Sequence, residues 1–220
     1  MINIIQNYIS LDTAKFLCRV IGPTTVETPD KGVWGGPSKI QDEDNLKLGM
    51  PMSPYTQNEE YNIALDILTM LATSMSKTIS DHYKLEYIPK SIFYSKMTEG
   101  AKNSLHMDNF YLSSETDELT DRPFSNGDKS GLLYLNSEYE GAELCFPLQN
   151  IKFKPSPGTF IFFEGNDKVP HEVLPMLSGE RHNLISFYWD KAKSGSGASL
   201  KVGYNGLPEK QLTMDYINSL

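Results

Sequence analysis

The sequence is poor in cysteine and carries no excess of positive charge. Its two cysteines, Cys18 and Cys145, stand far apart in a chain of 220 residues. This spacing excludes a disulfide framework and favours a reducing compartment. The net charge of −8 and the sequence pI near 5.0 are unlike the basic footprint of a nucleic-acid-binding protein. We therefore expect no nucleic-acid partner.

Long apolar runs are also missing. No stretch has the length and apolarity of a transmembrane helix, and residues 1–6 contain no basic n-region. We expect no secretory signal, no membrane partner and a cytoplasmic location. The length fits a single domain with a substantial core. We divide it into a helical support and lid region (1–86), a jelly-roll catalytic core (87–190) and a C-terminal tail (191–220).

The first part of the chain predicts two amphipathic helices. Ser10 is a suitable N-cap for a helix that ends near Ile21, and a second helix, with apolar residues every four positions, is expected to end near His82. Residues 22–55 between them are rich in proline and glycine. They predict a long irregular segment that can include a short strand, which we interpret as a candidate rim or lid.

From residue 87 onward, short runs of β-type residues alternate with turn signals. The predicted strands cover residues 91–96, 104–109, 131–135, 142–146, 150–154, 159–164, 169–175 and 181–190. Eight short strands after a helical front end predict a mainly β (α+β) fold. We expect a double-stranded β-helix (jelly roll, cupin-like) with the N-terminal helices packed on one sheet. In the tail, the sequence predicts a strand at 199–203 and a helix at 212–220.

Three residues form a candidate metal site. His106 and Asp108 are two apart, so on a strand both side chains point to one face. His171 lies in an extended segment after the strand predicted at 159–164. If the three converge, two imidazoles and one carboxylate occupy one side of an ion, a set that suits non-haem Fe(II). Alone, the His-x-Asp pair is a weak signal and favours a strand-end histidine beside a turn aspartate.

Arg181 opens the last predicted strand, ten residues after His171. Strand periodicity puts one set of residues on its face: Asn183, Ile185, Phe187 and Trp189. Both faces of this strand carry apolar residues, so periodicity does not decide which face is the inner one. On an inner face, a buried guanidinium needs an anion, which a dicarboxylate supplies through a bidentate contact. The alternative is a surface arginine paired with Glu180 or a loop acid.

Five blocks in this order resemble the Fe(II)/2-oxoglutarate-dependent dioxygenases, and among them the prolyl 4-hydroxylase-like branch. The blocks lie between about residues 92 and 190, and their order and spacing together carry the resemblance. They are His106-Met107-Asp108, Leu133-Tyr134-Leu135-Asn136 with Glu140-Gly141-Ala142, Pro157-Gly158-Thr159, His171-Glu172-Val173 and Gly179-Glu180-Arg181.

The resemblance implies a metal site and a cosubstrate site. His106, Asp108 and His171 would bind Fe(II), and Arg181 would bind the distal carboxylate of 2-oxoglutarate. The implied cofactors are Fe(II), 2-oxoglutarate as cosubstrate and O2, with ascorbate as a further candidate.

Two tyrosines are candidates for an additional contact with 2-oxoglutarate. Tyr134 matches a family tyrosine whose hydroxyl helps to hold the distal carboxylate, although it fits a core tyrosine equally well. Upstream, Met97 stands where the family often has a tyrosine. If the turn after this position is longer by about two residues, Tyr94 takes over that contact.

The implied reaction is hydroxylation of an unactivated C–H with release of succinate and CO2. The favoured substrate is a prolyl residue of a peptide or protein, and the alternatives are a small molecule or a free amino acid. Asp108 favours hydroxylation, because related halogenases have a small residue at this position. Arg181-His182-Asn183 superficially matches the nucleic-acid dealkylases, but Phe187 stands where their second arginine is found. A cupin-like metal enzyme without 2-oxoglutarate and a non-catalytic jelly-roll binding module also remain open.

Overall fold

The computed structural model describes residues 1–27, 33–42, 45–49, 59–121, 128–193 and 209–219. The helices within these residues are α1 (Leu11–Ile21), α2 (Glu59–Tyr83) and α3 (Met214–Ser219). The strands are β1 (Asn3–Ile5), β2 (Val26–Glu27), β3 (Val33–Asp42), β4 (Asn45–Gly49), β5 (Tyr87–Met97), β6 (Asn103–His106), β7 (Phe110–Ser113), β8 (Leu119–Asp121), β9 (Lys129–Tyr134), β10 (Tyr139–Gly141), β11 (Leu144–Phe146), β12 (Ile151–Phe153), β13 (Phe160–Glu164), β14 (His171–Val173), β15 (Met176–Gly179), β16 (Arg181–Asp190) and β17 (Glu209–Lys210).

Two antiparallel sheets form the jelly roll. The main sheet has the strand order β1-β13-β9-β16-β5-β3-β2, with β4 paired to β3, and the second sheet has the order β12-β11-β14-β6. Side chains of both sheets meet in one buried cluster, in which Leu132 and Ile161 of the main sheet lie with Leu144 and Val173 of the second. The predicted double-stranded β-helix is therefore confirmed.

The helices cover the other face of the main sheet. α1 starts at the predicted cap, where the Ser10 hydroxyl accepts a hydrogen bond of 3.0 Å from the Thr13 N–H. Buried residues of α1 and α2 share a cluster with Leu133, Leu184 and Tyr188 of the sheet. The main sheet thus has an outer face, which packs on the helices, and an inner face, which lines the barrel.

The prediction of an irregular segment between the two helices is wrong where the chain is described. A short 3-10 helix at Gly22–Thr24 is followed by β2, β3 and β4, and β3 pairs along β5. The register of that pairing shifts between Gly35 and Ser38. Proline and glycine are tolerated at such a bulge, so the composition that suggested a loop marks an interrupted strand instead. Residues 28–32, 43–44 and 50–58 lie outside the described residues.

Other boundaries differ in detail. The strand predicted at 169–175 is two strands, β14 and β15, with Pro175 between them. The strand predicted at 199–203 lies outside the described residues, and α3 falls within the predicted final helix. None of the described helices has the length and apolarity needed to cross a membrane. The division into three regions stays a prediction, and β1 and β3, from the first region, pair directly with strands of the second.

Candidate active site

β6 and β14 place the two predicted histidine ligands opposite each other. His106 and His171 are partners in the antiparallel register, and their ring centroids are 4.3 Å apart. The Nε2 atom of His106 lies 3.6 Å from Asp108 Oδ1, and that of His171 lies 3.7 Å from Asp108 Oδ2. The candidate ligand atoms all lie within 4.8 Å of one another. Asp108 reaches this position from the bend after β6, not from the strand itself as the sequence predicted.

Backbone carbonyls orient both imidazoles. His106 Nδ1 lies 2.7 Å from the Ser104 carbonyl, and His171 Nδ1 lies 3.2 Å from the Val169 carbonyl. With the Nδ1–H donated to a carbonyl, the Nε2 lone pair of each ring faces the Asp108 side and is available to a metal. Burial, reinforced by the neighbouring His106, lowers the pKa of His171 to about 4. This imidazole is therefore neutral at physiological pH, as a metal ligand must be.

Asp108 is held from the inner face of the main sheet. It is 6% exposed, and its Oδ2 accepts a short hydrogen bond from the Ser130 hydroxyl. Ser130 lies on β9 two residues before the inward-facing Leu132. Sequence reasoning missed this contact, although the alternation of Ser130, Leu132 and Tyr134 was a usable signal. Two imidazoles that present Nε2 and one oriented carboxylate fit the ligand set of non-haem Fe(II).

Arg181 is buried at the start of β16, with 2% of its surface exposed. Its Nη2 donates to the Tyr134 hydroxyl at 2.6 Å, and its Nη1 lies 2.7 Å from the Met97 sulfur. Among the described residues, its Nε has no hydrogen-bond partner and no carboxylate pairs with the guanidinium. A neutral phenol and a thioether do not balance a buried positive charge. The site therefore fits an anion supplied from outside the chain.

Glu180 does not supply this anion. It pairs instead with Lys96 at 3.3 Å and with His182 at 3.2 Å. The surface-arginine alternative therefore does not describe Arg181. Burial raises the pKa of the Tyr134 phenol, although the Arg181 charge opposes the shift. Tyr134 is thus a neutral hydroxyl that can donate to the same anion.

The comparison with known families agrees with this geometry. The sequence profile described as 2OG-Fe(II) oxygenase superfamily matches residues 92–189. This range contains the three candidate metal ligands and Arg181. Residues 92–189 of this chain thus match a 2OG-Fe(II) oxygenase domain. The match confirms the family predicted from the sequence, and the relatives and structural neighbours that follow are prolyl hydroxylases.

Two curated relatives are prolyl 3-hydroxylases of Gallus gallus. Prolyl 3-hydroxylase 1 is 24% identical over 172 residues, which cover 73% of this chain and 23% of that protein. Prolyl 3-hydroxylase 2 is 32% identical over 84 residues, which cover 35% of this chain and 12% of that protein. The matched part thus spans less than a quarter of either relative's length.

A solved structure shares the fold. The collagen prolyl hydroxylase of Paramecium Bursaria Chlorella virus-1, in its complex with 2OG, superposes with a TM-score of 0.58 at 14% identity. The superposition covers 85% of this chain and 94% of the viral one. At this identity the likeness concerns the jelly-roll architecture alone.

Tyr94 lies on the opposite face of the main sheet from Arg181, contrary to the sequence prediction that it contacts 2-oxoglutarate. Its hydroxyl is 2.8 Å from His182 Nδ1, and its ring belongs to the outer-face cluster with the helices. Residues three apart on a regular strand point to opposite faces. Met97 therefore takes the inner position beside Arg181, and Tyr94 does not.

Asn136 is a second residue that sequence reasoning missed in the oxygenase domain. Its Nδ2 donates to the Glu180 carbonyl at 2.7 Å, and its Oδ1 accepts from the His182 N–H at 2.8 Å. The amide thus fixes the backbone on both sides of Arg181. The usable signal was its place directly after the strand that carries Tyr134.

Proposed function

We propose that this chain is an Fe(II)- and 2-oxoglutarate-dependent dioxygenase that hydroxylates a prolyl residue of a peptide or protein. The observation that carries the proposal is Arg181, a buried guanidinium without a carboxylate partner among the described residues. Arg181 is the first residue of β16 and lies on the face of that strand that lines the barrel. The candidate metal ligands point into the same barrel. A metal enzyme that does not use a keto dicarboxylate has no need of such a group.

In this proposal His106, Asp108 and His171 hold the metal. The carbonyls of Ser104 and Val169 keep each imidazole in the tautomer that offers Nε2. The Ser130 hydroxyl fixes one oxygen of Asp108 and so limits the rotation of the carboxylate. When bound, Fe(II) together with 2-oxoglutarate and O2 supplies the oxidation, in which succinate and CO2 are released and a C–H bond becomes C–OH.

Arg181 and Tyr134 would bind the distal carboxylate of 2-oxoglutarate. The guanidinium supplies charge and a fork of donors, and the phenol supplies one further hydroxyl. Between this end and the metal ligands, the barrel is lined by apolar residues of the buried inner cluster, among them Leu132, Ile161 and Phe163. They exclude water from the space between the two sites, which strengthens polar contacts to a bound dianion.

The prolyl substrate is supported by the names of the relatives, two prolyl 3-hydroxylases and a collagen prolyl hydroxylase. Asp108 supports hydroxylation, since a carboxylate fills the position that halogenases leave open. The regiochemistry is a separate question, because the sequence resembles the 4-hydroxylase branch and the curated relatives are 3-hydroxylases. A small molecule or free amino acid is the alternative substrate.

The first test is an anaerobic titration of the Fe(II)-loaded protein with 2-oxoglutarate. We expect the weak visible absorption band of the metal chelate to appear and saturate. Arg181→Ala should weaken 2-oxoglutarate binding by about 30- to 1,000-fold, the scale of losing a buried charge partner. The affinity for Fe(II) should stay within about threefold, because Arg181 is separate from the metal ligands and changes at separate sites act nearly independently. An equal loss of both affinities would contradict the assignment of Arg181.

The second test identifies the substrate. Proline-containing peptides and free proline are incubated with Fe(II), 2-oxoglutarate and air, with and without ascorbate, and products are screened for one added oxygen. Separation of 3- and 4-hydroxyproline after hydrolysis of the product assigns the position. His171→Ala serves as the inactive control. Product from free proline alone would replace the peptide substrate with the small-molecule alternative.

A further inference from the structure

Asn183 is a polar residue with no visible reason for its place in the barrel. Its side chain is 1% exposed. Neither its Nδ2 nor its Oδ1 has a hydrogen-bond partner among the described residues. A buried, unpaired amide lowers stability, so the great majority of buried polar groups in native proteins are bonded. An orphan of this kind needs an explanation, and its position relative to Arg181 supplies one.

The strand register locates this amide. Asn183 lies level with Tyr134 of β9 and with Ser95 of β5, and it shares the inner face with Arg181 and Ile185. Ile185 packs on the barrel cluster, whereas His182 and Leu184 point to the opposite face. Asn183 is therefore the next inward position after Arg181 along the strand.

The same register shows that Asn183 lies on the metal side of Arg181. On β9, Ser130 bonds the metal-ligand candidate Asp108, and Tyr134 bonds Arg181. These two residues are four apart, about 13 Å along a strand. Asn183 is level with Tyr134, and Ile185 and Phe187 continue toward the level of Ser130. A dicarboxylate that reaches from Arg181 toward the metal must pass Asn183.

Two consecutive inward positions of β16 thus carry unpaired donors, Arg181 Nε and Asn183 Nδ2. A third polar group lies nearby. The Tyr139 hydroxyl is buried close enough to Arg181 for the guanidinium to oppose the rise that burial causes in its pKa, yet it has no bond of acceptable geometry. Unsatisfied donors on Arg181, Asn183 and Tyr139 fit a ligand that offers acceptors only, as a carboxylate does.

We propose that Asn183 is a further cosubstrate-binding residue, which donates its Nδ2–H to a carboxylate oxygen of bound 2-oxoglutarate beside Arg181. The inference rests on the proposed function, because it takes 2-oxoglutarate as the ligand. The dianion has no hydrogen to offer, so the ligand pairs the Asn183 Nδ2 and leaves the Oδ1 unpaired. Within the described residues both amide atoms of the apo protein are unpaired, and the ligand removes the cost of one of them.

This arrangement predicts opposite effects on stability and on binding. Asn183→Leu keeps the approximate size and shape of the side chain and removes both unpaired atoms. The apo protein should melt about 2–4 °C higher, because an unsatisfied polar group has been replaced by an apolar one. Binding of 2-oxoglutarate should weaken by about 10- to 100-fold, the scale of a hydrogen bond to a charged group.

The experiment uses the full chain loaded with Mn(II), so that binding is measured by calorimetry without turnover. 2-Oxoglutarate is compared with oxalate, which has the metal-chelating part but no distal carboxylate chain. Asn183→Leu should bind oxalate as the wild type does. Asn183→Ala is the second variant. It should show the same loss for 2-oxoglutarate, but without the gain in stability, because it leaves a cavity.

Tyr188→Phe is the matched control. Tyr188 lies on the same strand, and its buried hydroxyl is also unpaired, but it points to the outer face. This variant should leave 2-oxoglutarate affinity unchanged.

The outcomes separate the two proposals. If the wild type binds 2-oxoglutarate and both Asn183 variants bind it equally well, the role of Asn183 is refuted and the proposed function stands. If the wild type binds oxalate but not 2-oxoglutarate, the proposed function fails and the inference falls with it. An equal loss for oxalate and 2-oxoglutarate would show a disturbed metal site and would also overturn the inference.

Discussion

The two faces of the main sheet are built from the same strands but obey different rules. On the outer face, Leu133, Leu184 and Tyr94 are fully buried against the helices. On this face, the polar side chains of Tyr94 and His182 satisfy each other, since the Tyr94 hydroxyl forms a hydrogen bond with the His182 ring. On the inner face, Arg181 and Asn183 are equally buried, yet they carry donors that have no partner in the part of the chain that the structure describes.

This difference separates residues that hold the fold from residues that await a ligand. A face that serves only packing can satisfy its few polar groups within the chain, and an apolar residue at each position gives the greatest stability. A face that binds a dianion must keep donors free until the ligand arrives. Local conflicts with packing rules are therefore informative about function, provided that they cluster. Among the described residues, Arg181, Asn183 and Tyr139 gather such conflicts at one end of the barrel, whereas the outer-face cluster contains the unpaired hydroxyls of Tyr83 and Tyr188.

The largest effect is expected from an outer-face change. Leu184 is fully buried between Leu133 and Tyr94 in the strand register. Leu184→Ala should lower the free energy of unfolding by about 2–5 kcal/mol, through lost burial and the cavity that remains. Denaturant unfolding measures this loss, and calorimetry on the folded variant should give wild-type affinity for 2-oxoglutarate. The adjacent Asn183→Leu should do the reverse on both measurements. A weakened affinity in Leu184→Ala would show that the faces are coupled.

A smaller effect is expected at the metal site. Ser130→Ala removes the hydroxyl that bonds Asp108 from the inner face. Metal affinity should fall by about 10- to 100-fold, as is usual when a residue that orients a ligand is lost. A Mn(II) titration followed by electron paramagnetic resonance measures it.

Ser186→Ala is the matched control for this prediction. Ser186 is the neighbouring buried serine on the outer face, and its hydroxyl donates to the Gly131 carbonyl at 3.1 Å. Mn(II) affinity should be unchanged in this variant. Equal losses in Ser130→Ala and Ser186→Ala would point to general loosening of the sheet and not to orientation of Asp108.

The sequence predicted the jelly roll and the three residues that converge on the candidate metal site. It succeeded because the order and spacing of five blocks together resemble a known family, although no single block is specific. It did not decide which face of β16 points into the barrel, since both faces of that strand carry apolar residues. The inner face is set by long-range pairing, which places Arg181 beside Met97 and Asn183 beside Tyr134. No local pattern contains that information.

The two errors have a related cause. The segment that became β3 is rich in glycine and proline, and its strand is held by pairing with β5 more than by local preference. Tyr94 was a candidate because its residue type is right and its position is three residues from the expected one. A shift of three reverses the face on a strand, so a near match in sequence becomes a separation across the sheet.

The smallest expected effect tests whether Tyr94 lies on the outer face, away from the binding site. Tyr94→Phe should leave 2-oxoglutarate affinity unchanged and should lower the free energy of unfolding by about 1 kcal/mol, because His182 loses its partner. The matched variant is Tyr134→Phe, the same substitution on the inner face, where the hydroxyl bonds Arg181. It should weaken 2-oxoglutarate binding by about 10-fold, the scale of a hydrogen bond between a hydroxyl and a charged group. Calorimetry on the two Mn(II)-loaded variants distinguishes them. If Tyr94→Phe lost the affinity and Tyr134→Phe kept it, the assignment of binding to the inner face would be reversed.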